Sequence, residues 1–398
     1  MSKKKVVLAY SGGLDTSYCA KYLSSDMGLE VHAITVDTGG FSTEELLKIE
    51  HNAINLGVAS YKVQNVVKPY FDKCLRYLLF GNILKNNTYP LSVSAERVFQ
   101  AMAVAEYAKE IQADYIAHGS TGAGNDQVRF DMIFHIVMPQ AGIITPIRDN
   151  KLSREEEIAY LHARGFDMDA SKAQYSVNQG IWGTSVGGKE TLTSRYGLPD
   201  YAYPSTLTAS QPLDISITFE QGVPIAINDV NYAHATDLIA DLNHLAKHYA
   251  IGRDIHVGDT IIGIKGRVGF EAAAPLLLIK AHHLLEKHTL TKQQLNWKDI
   301  IAQPYGNFIH EGLYYEPVMR DIEAFLDSSQ RRVSGKVYAT LHPHRVEFQG
   351  IESPFDLMHS KFGSYGEMNK TWSGEDVRGF SKIYANQMMI WNSFEEGN

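Results

Sequence analysis

Val6-Val7-Leu8-Ala9-Tyr10-Ser11-Gly12-Gly13-Leu14-Asp15-Thr16-Ser17 is the stretch that decides the fold. Its continuous apolar start reads as a buried strand, of the kind that parallel sheets cover on both faces. The strand empties into a Ser-Gly-Gly turn, and a helix is predicted to begin at once with Leu14. Two glycines let the backbone close on an anion with no Cβ in the way. The free N–H groups of the helix's first turn point at that anion, aided by the helix dipole. Hydroxyls at Ser11, Thr16 and Ser17 add donors. The physical reading is a cradle for phosphate or pyrophosphate. It is not a Walker A loop, which needs G-x-x-x-x-G-K followed by Ser or Thr; the near match at Gly183–Lys189 runs into Glu190 and is set aside.

Working outward, the first third alternates strands with helices. Val6–Tyr10, Val31–Val36, Tyr61–Val67 and Tyr115–His118 read as short buried strands. Leu14–Asp26, Thr43–Asn55, Pro69–Phe80 and Ala95–Ile111 read as helices between them. This alternation predicts an α/β fold with a parallel, doubly wound sheet. Ligands on such sheets bind at the carboxyl ends of the strands. Ser11–Ser17, Asp37–Phe41 and Gly119–Arg129 all follow strands and are therefore expected to converge. After residue 168 the pattern changes. Leu213–Phe219 and Val223–Ile227 alternate across a Gln221-Gly222 turn and predict a hairpin. Helices are expected from Pro275 to His288 and over Glu316–Ser328, with a second hairpin from Val333–Leu341 and Arg345–Gln349. Ser373 caps a last helix whose Val377, Phe380, Ile383, Tyr384, Met388 and Ile390 form an apolar stripe. That stripe is expected to cross to a neighbouring subunit. The expected division is 1–168 nucleotide-binding, 169–365 mixed α+β, and 366–398 helical tail.

At 398 residues the chain is too long for one comfortable domain. A formal charge of −8 argues against a nucleic-acid partner, which calls for a basic excess. Cys19 and Cys74 are too few and too far apart for a disulfide framework or metal cluster, and read as core thiols in a reducing compartment. Val6–Ala9 is too short for a signal-peptide core, and no apolar run reaches membrane-spanning length. A cytoplasmic location without membrane attachment is expected. His282-His283 and His342-Pro343-His344 lack ligand spacing and read as surface or subunit contacts.

A second dense motif follows the strand at 115–118: Ala117-His118-Gly119-Ser120-Thr121-Gly122-Ala123-Gly124-Asn125-Asp126-Gln127-Val128-Arg129. Its glycines make a backbone able to close on a ligand, and the polar run behind them both donates and accepts. The Ser11–Ser17 string resembles the loop of the PP-loop ATP-pyrophosphatases. The two motifs together resemble the argininosuccinate synthase family, PP-loop ligases that join citrulline to aspartate. The resemblance extends to Tyr89 with Ser94 and Arg97, to Ser176 and Ser185 around Trp182, and to Ile261–Arg267.

The resemblance implies a nucleotide-binding domain of adenine-nucleotide α-hydrolase type, a synthetase domain and an oligomerisation tail. It implies that Ala9, Tyr10, Ser11, Gly12, Gly13, Leu14, Asp15, Thr16, Ser17 and Ala33 meet ATP, with Ala117, His118 and Gly119 closing over it. Thr121, Asn125 and Asp126 match aspartate positions. Tyr89, Ser94, Asn125, Arg129, Ser176 and Ser185 match citrulline positions. The ureido oxygen would attack the α-phosphorus to give a citrullyl-adenylate, and the aspartate amine would then displace AMP. No covalent nucleophile is implied; Ser11, Asp15, Ser17, Asp126 and Arg129 would position reactants and stabilise charge. Mg²⁺ would ride on the ATP phosphates, and a homotetramer is implied. Three departures stand out: Ala123 for a Lys, Gly258 for a Glu that contacts the α-amino end of citrulline, and Phe270 for a Tyr. They raise the possibility of an N-acylated citrulline as substrate. A tRNA-modifying PP-loop ligase and a non-catalytic ATP-binding protein compete with the synthase reading.

Overall fold

The computed structural model describes residues 3–122, 124–167, 175–363, 365–367 and 371–395. Ala123 and the expected boundary at 168 lie outside them. Five parallel strands form the first sheet: β1 Lys5–Ala9, β2 Glu30–Asp37, β3 Ser60–Asn65, β4 Tyr115–Ala117 and β5 Gly142–Ile144, in the order β3-β2-β1-β4-β5. Val6 and Leu8 pack with Tyr18, Cys19 and Leu23 on one face, while Val7 packs with Ile34 and Ile116 on the other. A strand buried on both faces has no use for polar residues, which is why β1 reads as an unbroken apolar run. The winding reverses beside β1, so a crevice opens at the carboxyl ends of β1 and β4. The β5 strand was not predicted; it is a partly exposed edge strand of Gly142-Ile143-Ile144 with no longer apolar run around it.

The helices Leu14–Ser25 and Thr43–Asn55 follow the sequence reading, the second closed by a Ser42–Glu45 capping box. The predicted helix Pro69–Phe80 is instead three joined pieces, Val67–Tyr70, a π-helical turn Phe71–Leu75, and Arg76–Phe80. The helix predicted from Ala95 begins at Ser92, because Leu91 turns the chain in a left-handed conformation with φ 63°. Those three extra residues bring Ser94 into its first turn.

Two antiparallel sheets follow. One contains β6 Ser176–Gly180, β7 Gly183–Gly187, β11 Arg253–Asp259 and β12 Lys265–Glu271, in the order β11-β12-β7-β6. The other contains β8 Leu213–Glu220, β9 Val223–Ile227, β10 Val230–Asn231, β13 Gly335–His342 and β14 Arg345–Glu352, and includes both predicted hairpins. Helices Ala273–Thr289 and Val318–Ser329 occupy the predicted places; Lys292–Glu311, with Pro304 inside it, was not anticipated. His282 corrects the reading of the histidine pairs as surface. It is fully buried, with Nδ1 2.7 Å from Asn82 Oδ1 and Nε2 2.8 Å from Gln330 Oε1, beside a buried Lys298–Glu286 ion pair of 2.8 Å.

Candidate active site

Gly12 adopts φ +76°, and a Cβ there would stand 2.9 Å from Ile49 Cγ1, so conformation and space both call for glycine. Gly13 is the N-cap of Leu14–Ser25 and supplies no side-chain cap, which leaves the first-turn N–H groups to an anion. Ser11 Oγ lies 3.3 Å from Thr16 Oγ1, and Thr16 Oγ1 donates to Gly13 O at 3.2 Å. These bonds brace the loop from within. Ser17 is buried, its hydroxyl 3.5 Å from Tyr10 OH. Ala33 on β2 and Ala117 on β4 have no exposed surface and belong to the core cluster with Val6, Leu8 and Tyr10.

The glycine-rich segment approaches this loop closely: a Cβ on Gly119 would sit 3.2 Å from the Asp15 carbonyl carbon. Gln127 reaches back and donates to Gly122 O at 2.6 Å and Gly124 O at 3.2 Å, tying the segment to its own helix. His118 Nδ1 accepts from Ser120 N at 3.2 Å, and its Nε2 lies 2.9 Å from Asp131 Oδ1. Asp131 in turn accepts from Arg148 at 2.7 Å. Asn125 Oδ1 accepts from Ile261 N at 2.8 Å, joining the segment to the turn between β11 and β12. The expected convergence therefore holds for Ser11–Ser17 and Gly119–Arg129. Asp37–Phe41 turns toward β6 instead, with Ile181 N donating to Thr38 O at 2.8 Å.

Asp126 and Arg129 lie on successive turns of one helix, Asp126–Val137. Arg129 Nη1 donates to Asp126 Oδ1 at 2.9 Å, and its Nε and Nη2 donate to His310 O at 2.9 and 2.7 Å. A second guanidinium, Arg97, donates through Nε to Asp126 Oδ2 at 3.0 Å. Desolvation pushes the Asp126 carboxyl upward, but Arg97 and Arg129 outweigh it and hold the group below the ordinary carboxylate range. The Asp126 side chain keeps 39% of its surface exposed, so part of it is open to a ligand. Ser94 Oγ lies 3.1 Å from His310 Nδ1. Burial, then Arg129 and Lys85, push His310 down to about 3, so it is neutral near pH 7.

Strand register brings the remaining residues together. Ser185 pairs with Asn178 on β6 and with Phe270 on β12, so all three share one face of the sheet. Ser176, His256 and Gly258 belong to that face by the two-residue alternation. Tyr89 packs on it, its ring 5.1 Å from His256 and 5.3 Å from Phe270. Tyr89 OH accepts from Val93 N at 3.0 Å and keeps its own proton to donate. The near match at Gly183–Lys189 is largely strand β7, not a phosphate loop. Sequence reasoning missed Glu96, His256 and His310, and gave Arg97 and Asn178 no task.

The family model of the arginosuccinate synthase N-terminal HUP domain matches residues 5–167, and that of the arginosuccinate synthase C-terminal domain matches 175–391. The chain is 36% identical over 394 residues to argininosuccinate synthase from Dictyoglomus thermophilum, spanning 98% of both chains. It is 35% identical to the enzymes of that name from Methanocaldococcus jannaschii and Xanthomonas campestris pv. campestris, over 97% of each chain. The chain belongs to the argininosuccinate synthase family.

Within that family, Gly258 lies against an imidazole here. A Cβ at 258 would lie 2.4 Å from His256 Nε2, so the imidazole occupies the space a larger residue would need. Burial and then Lys85 push His256 down to about 4, leaving a neutral ring whose Nδ1 has no hydrogen-bond partner.

Beneath the cradle of this family member, Glu157 is buried within the field of Asp15, and its Oε2 has no hydrogen-bond partner among the described residues. Burial, then the Asp15 charge, push Glu157 up to about 8. The folded state thus keeps a proton that the unfolded chain releases near pH 4.5. Stability is expected to fall as pH rises from about 4.5 to about 8 through this group. Urea-unfolding free energies across that window should fall less steeply in Glu157→Gln; an equally steep fall would contradict the assignment.

Proposed function

We propose that the chain catalyses the argininosuccinate synthase reaction: ATP, L-citrulline and L-aspartate give AMP, diphosphate and argininosuccinate, a step of arginine biosynthesis. The observation that carries it is the meeting, at the carboxyl ends of β1 and β4, of an uncapped Gly-Gly helix start and an ionised Asp126 between two arginines. The first suits the phosphates of ATP. The second suits amino-acid substrates, because Asp126 can take the aspartate ammonium while Arg129 carries the positive charge a carboxylate seeks.

The ATP positions are Ala9 to Ser17, Ala33, Ala117, His118 and Gly119. The aspartate positions are Thr121, Asn125 and Asp126, and the citrulline positions Tyr89, Ser94, Asn125, Arg129, Ser176 and Ser185. The ureido oxygen attacks the α-phosphorus, the bond to diphosphate breaks, and a citrullyl-adenylate forms. The free aspartate amine then attacks the ureido carbon and loses a proton, and AMP departs with the former ureido oxygen. The cradle stabilises charge on the departing diphosphate. No nucleophilic side chain is needed, and both thiols are buried.

Among the described residues no group of three His, Cys, Asp or Glu side chains could hold a metal. That suits an Mg²⁺ brought by the ATP phosphates, with Asp15 the carboxylate beside the loop. Bound there, it would neutralise phosphate charge.

The comparisons lend the acylated-citrulline reading no support. One feature favours it as a second reading: the neutral His256 fills the place of a side chain at 258, and a neutral partner suits an amide better than an ammonium. Turnover tests both readings. AMP and diphosphate are expected only when aspartate and a citrulline are both present; release without them would overturn the ligase. Higher kcat/KM with N-acetyl- or N-succinylcitrulline than with citrulline would establish the second reading, and the reverse would remove it.

We assign the tail to subunit assembly. Helices Gly374–Tyr384 and Asn386–Glu395 leave Phe380, Ile383, Trp391 and Phe394 each more than three-fifths exposed, a stripe that a second copy would cover. A homotetramer is the expected assembly. Among the described residues no helix is long and apolar enough to cross a membrane. The buried free thiols suit a cytoplasmic location. Light scattering should give a tetramer for the full chain and a smaller species when residues after Thr371 are removed. An unchanged mass would contradict the tail's role.

A further inference from the structure

Glu96 and Arg97 touch no position assigned to a substrate other than Asp126, yet they lie between the two amino-acid sites. Arg97 spends its guanidinium on three elements at once. Nε donates to Asp126 Oδ2 at 3.0 Å, and Nη2 donates to Asn178 Oδ1 at 2.7 Å. Nη1 donates to Glu96 Oε1 at 3.1 Å and Gln100 Oε1 at 2.7 Å. Four of its five N–H groups are thereby used, in one plane.

Glu96 is 1% exposed and also accepts from Thr38 Oγ1 at 2.9 Å. Strand β6 presses on this pair. A Cβ on Gly180 would fall 2.2 Å from Glu96 Oε2, and one on Gly40 would fall 1.9 Å from Gln179 O. The hairpin bearing Ser176 and Ser185 is therefore seated on the carboxylate of Glu96 and on the chain leaving β2. Its polar tie to the Asp126 centre is Asn178, held by Arg97.

We propose that Arg97 is a positioning residue shared by the two amino-acid sites, holding the Asp126 carboxylate at one and, through Asn178, the β6–β7 hairpin at the other. Glu96 holds the guanidinium in its plane. The proposal rests on the reading of Asp126, Ser176 and Ser185 as amino-acid positions. A lysine cannot replace this arginine: its ammonium is a point charge with three donors and no plane. It can hold neither Asp126 nor Asn178 in the geometry that the planar guanidinium fixes.

Steady-state kinetics of full-length Arg97→Lys, Arg97→Gln and Asn178→Ala, with each substrate varied in turn, test it. In the Arg97 variants the KM values for aspartate and the citrulline substrate should each rise by about tenfold or more, since small displacements of bound reactants are costly. The KM for ATP should stay within about twofold, because the cradle makes no contact with Arg97. A merely structural role would move all three together. Asn178→Ala cuts only the hairpin side, so it should raise KM for the citrulline substrate and spare that for aspartate; it also serves if Arg97→Gln does not fold. Unchanged amino-acid KM values in Arg97→Lys, an equal rise for ATP, or an unchanged citrulline-side KM in Asn178→Ala would overturn the proposal. A wild-type protein without turnover dependent on both amino acids would instead remove the functional reading on which it rests.

Discussion

Asp126, clasped by Arg97 and Arg129, is the interaction on which the rest of the site depends. The two arginine side chains are 13% and 4% exposed, and cations so covered are tolerable only beside an opposite charge. Their shared partner is therefore pinned from both sides. Asp126 opens its helix, so pinning it also sets Asn125, while Gln127 ties the glycine-rich segment to the helix on its own account. Arg129 carries the constraint on to His310 at the end of Lys292–Glu311, and Arg97 carries it to Asn178 on β6. One carboxylate thus ties the start of the Asp126–Val137 helix to elements that arrive much later in the chain.

This arrangement suits a reaction that needs placement more than chemical participation by the protein. Three reactants must be held in line, and the charge that develops lies mostly on phosphate. The backbone N–H groups of an uncapped helix start meet that charge without reorganising. Around the amino-acid sites the protein keeps its imidazoles neutral, with His256 pushed down to about 4 and His310 to about 3. Its ionised groups there are spent largely on one another.

The central strands were legible in the sequence because β1, β2 and β4 are largely buried and read as apolar runs; β3, read as buried, is instead a half-exposed edge strand. The cradle was legible because glycine, hydroxyl and helix start are local features. What was missed depends on contacts distant in sequence. Nothing near His310 announces that its carbonyl accepts from Arg129, 181 residues earlier. Glu96 reads as one more helical glutamate, yet it is buried because Thr38, Arg97 and Gly180 close around it. The β11–β12 hairpin escaped notice because glycines at 258, 266 and 269 and charged ends blur its alternation. Gly258 looked like the loss of a carboxylate; the structure shows an imidazole occupying its space.

Citrulline labelled with ¹⁸O at the ureido position tests the central claim most directly, with its N-acyl form used if that is the better substrate. If the cradle and the Asp126 centre carry adenylation followed by displacement, the label must appear in the phosphate of AMP, read by mass spectrometry. Unlabelled AMP formed alongside argininosuccinate would contradict the account.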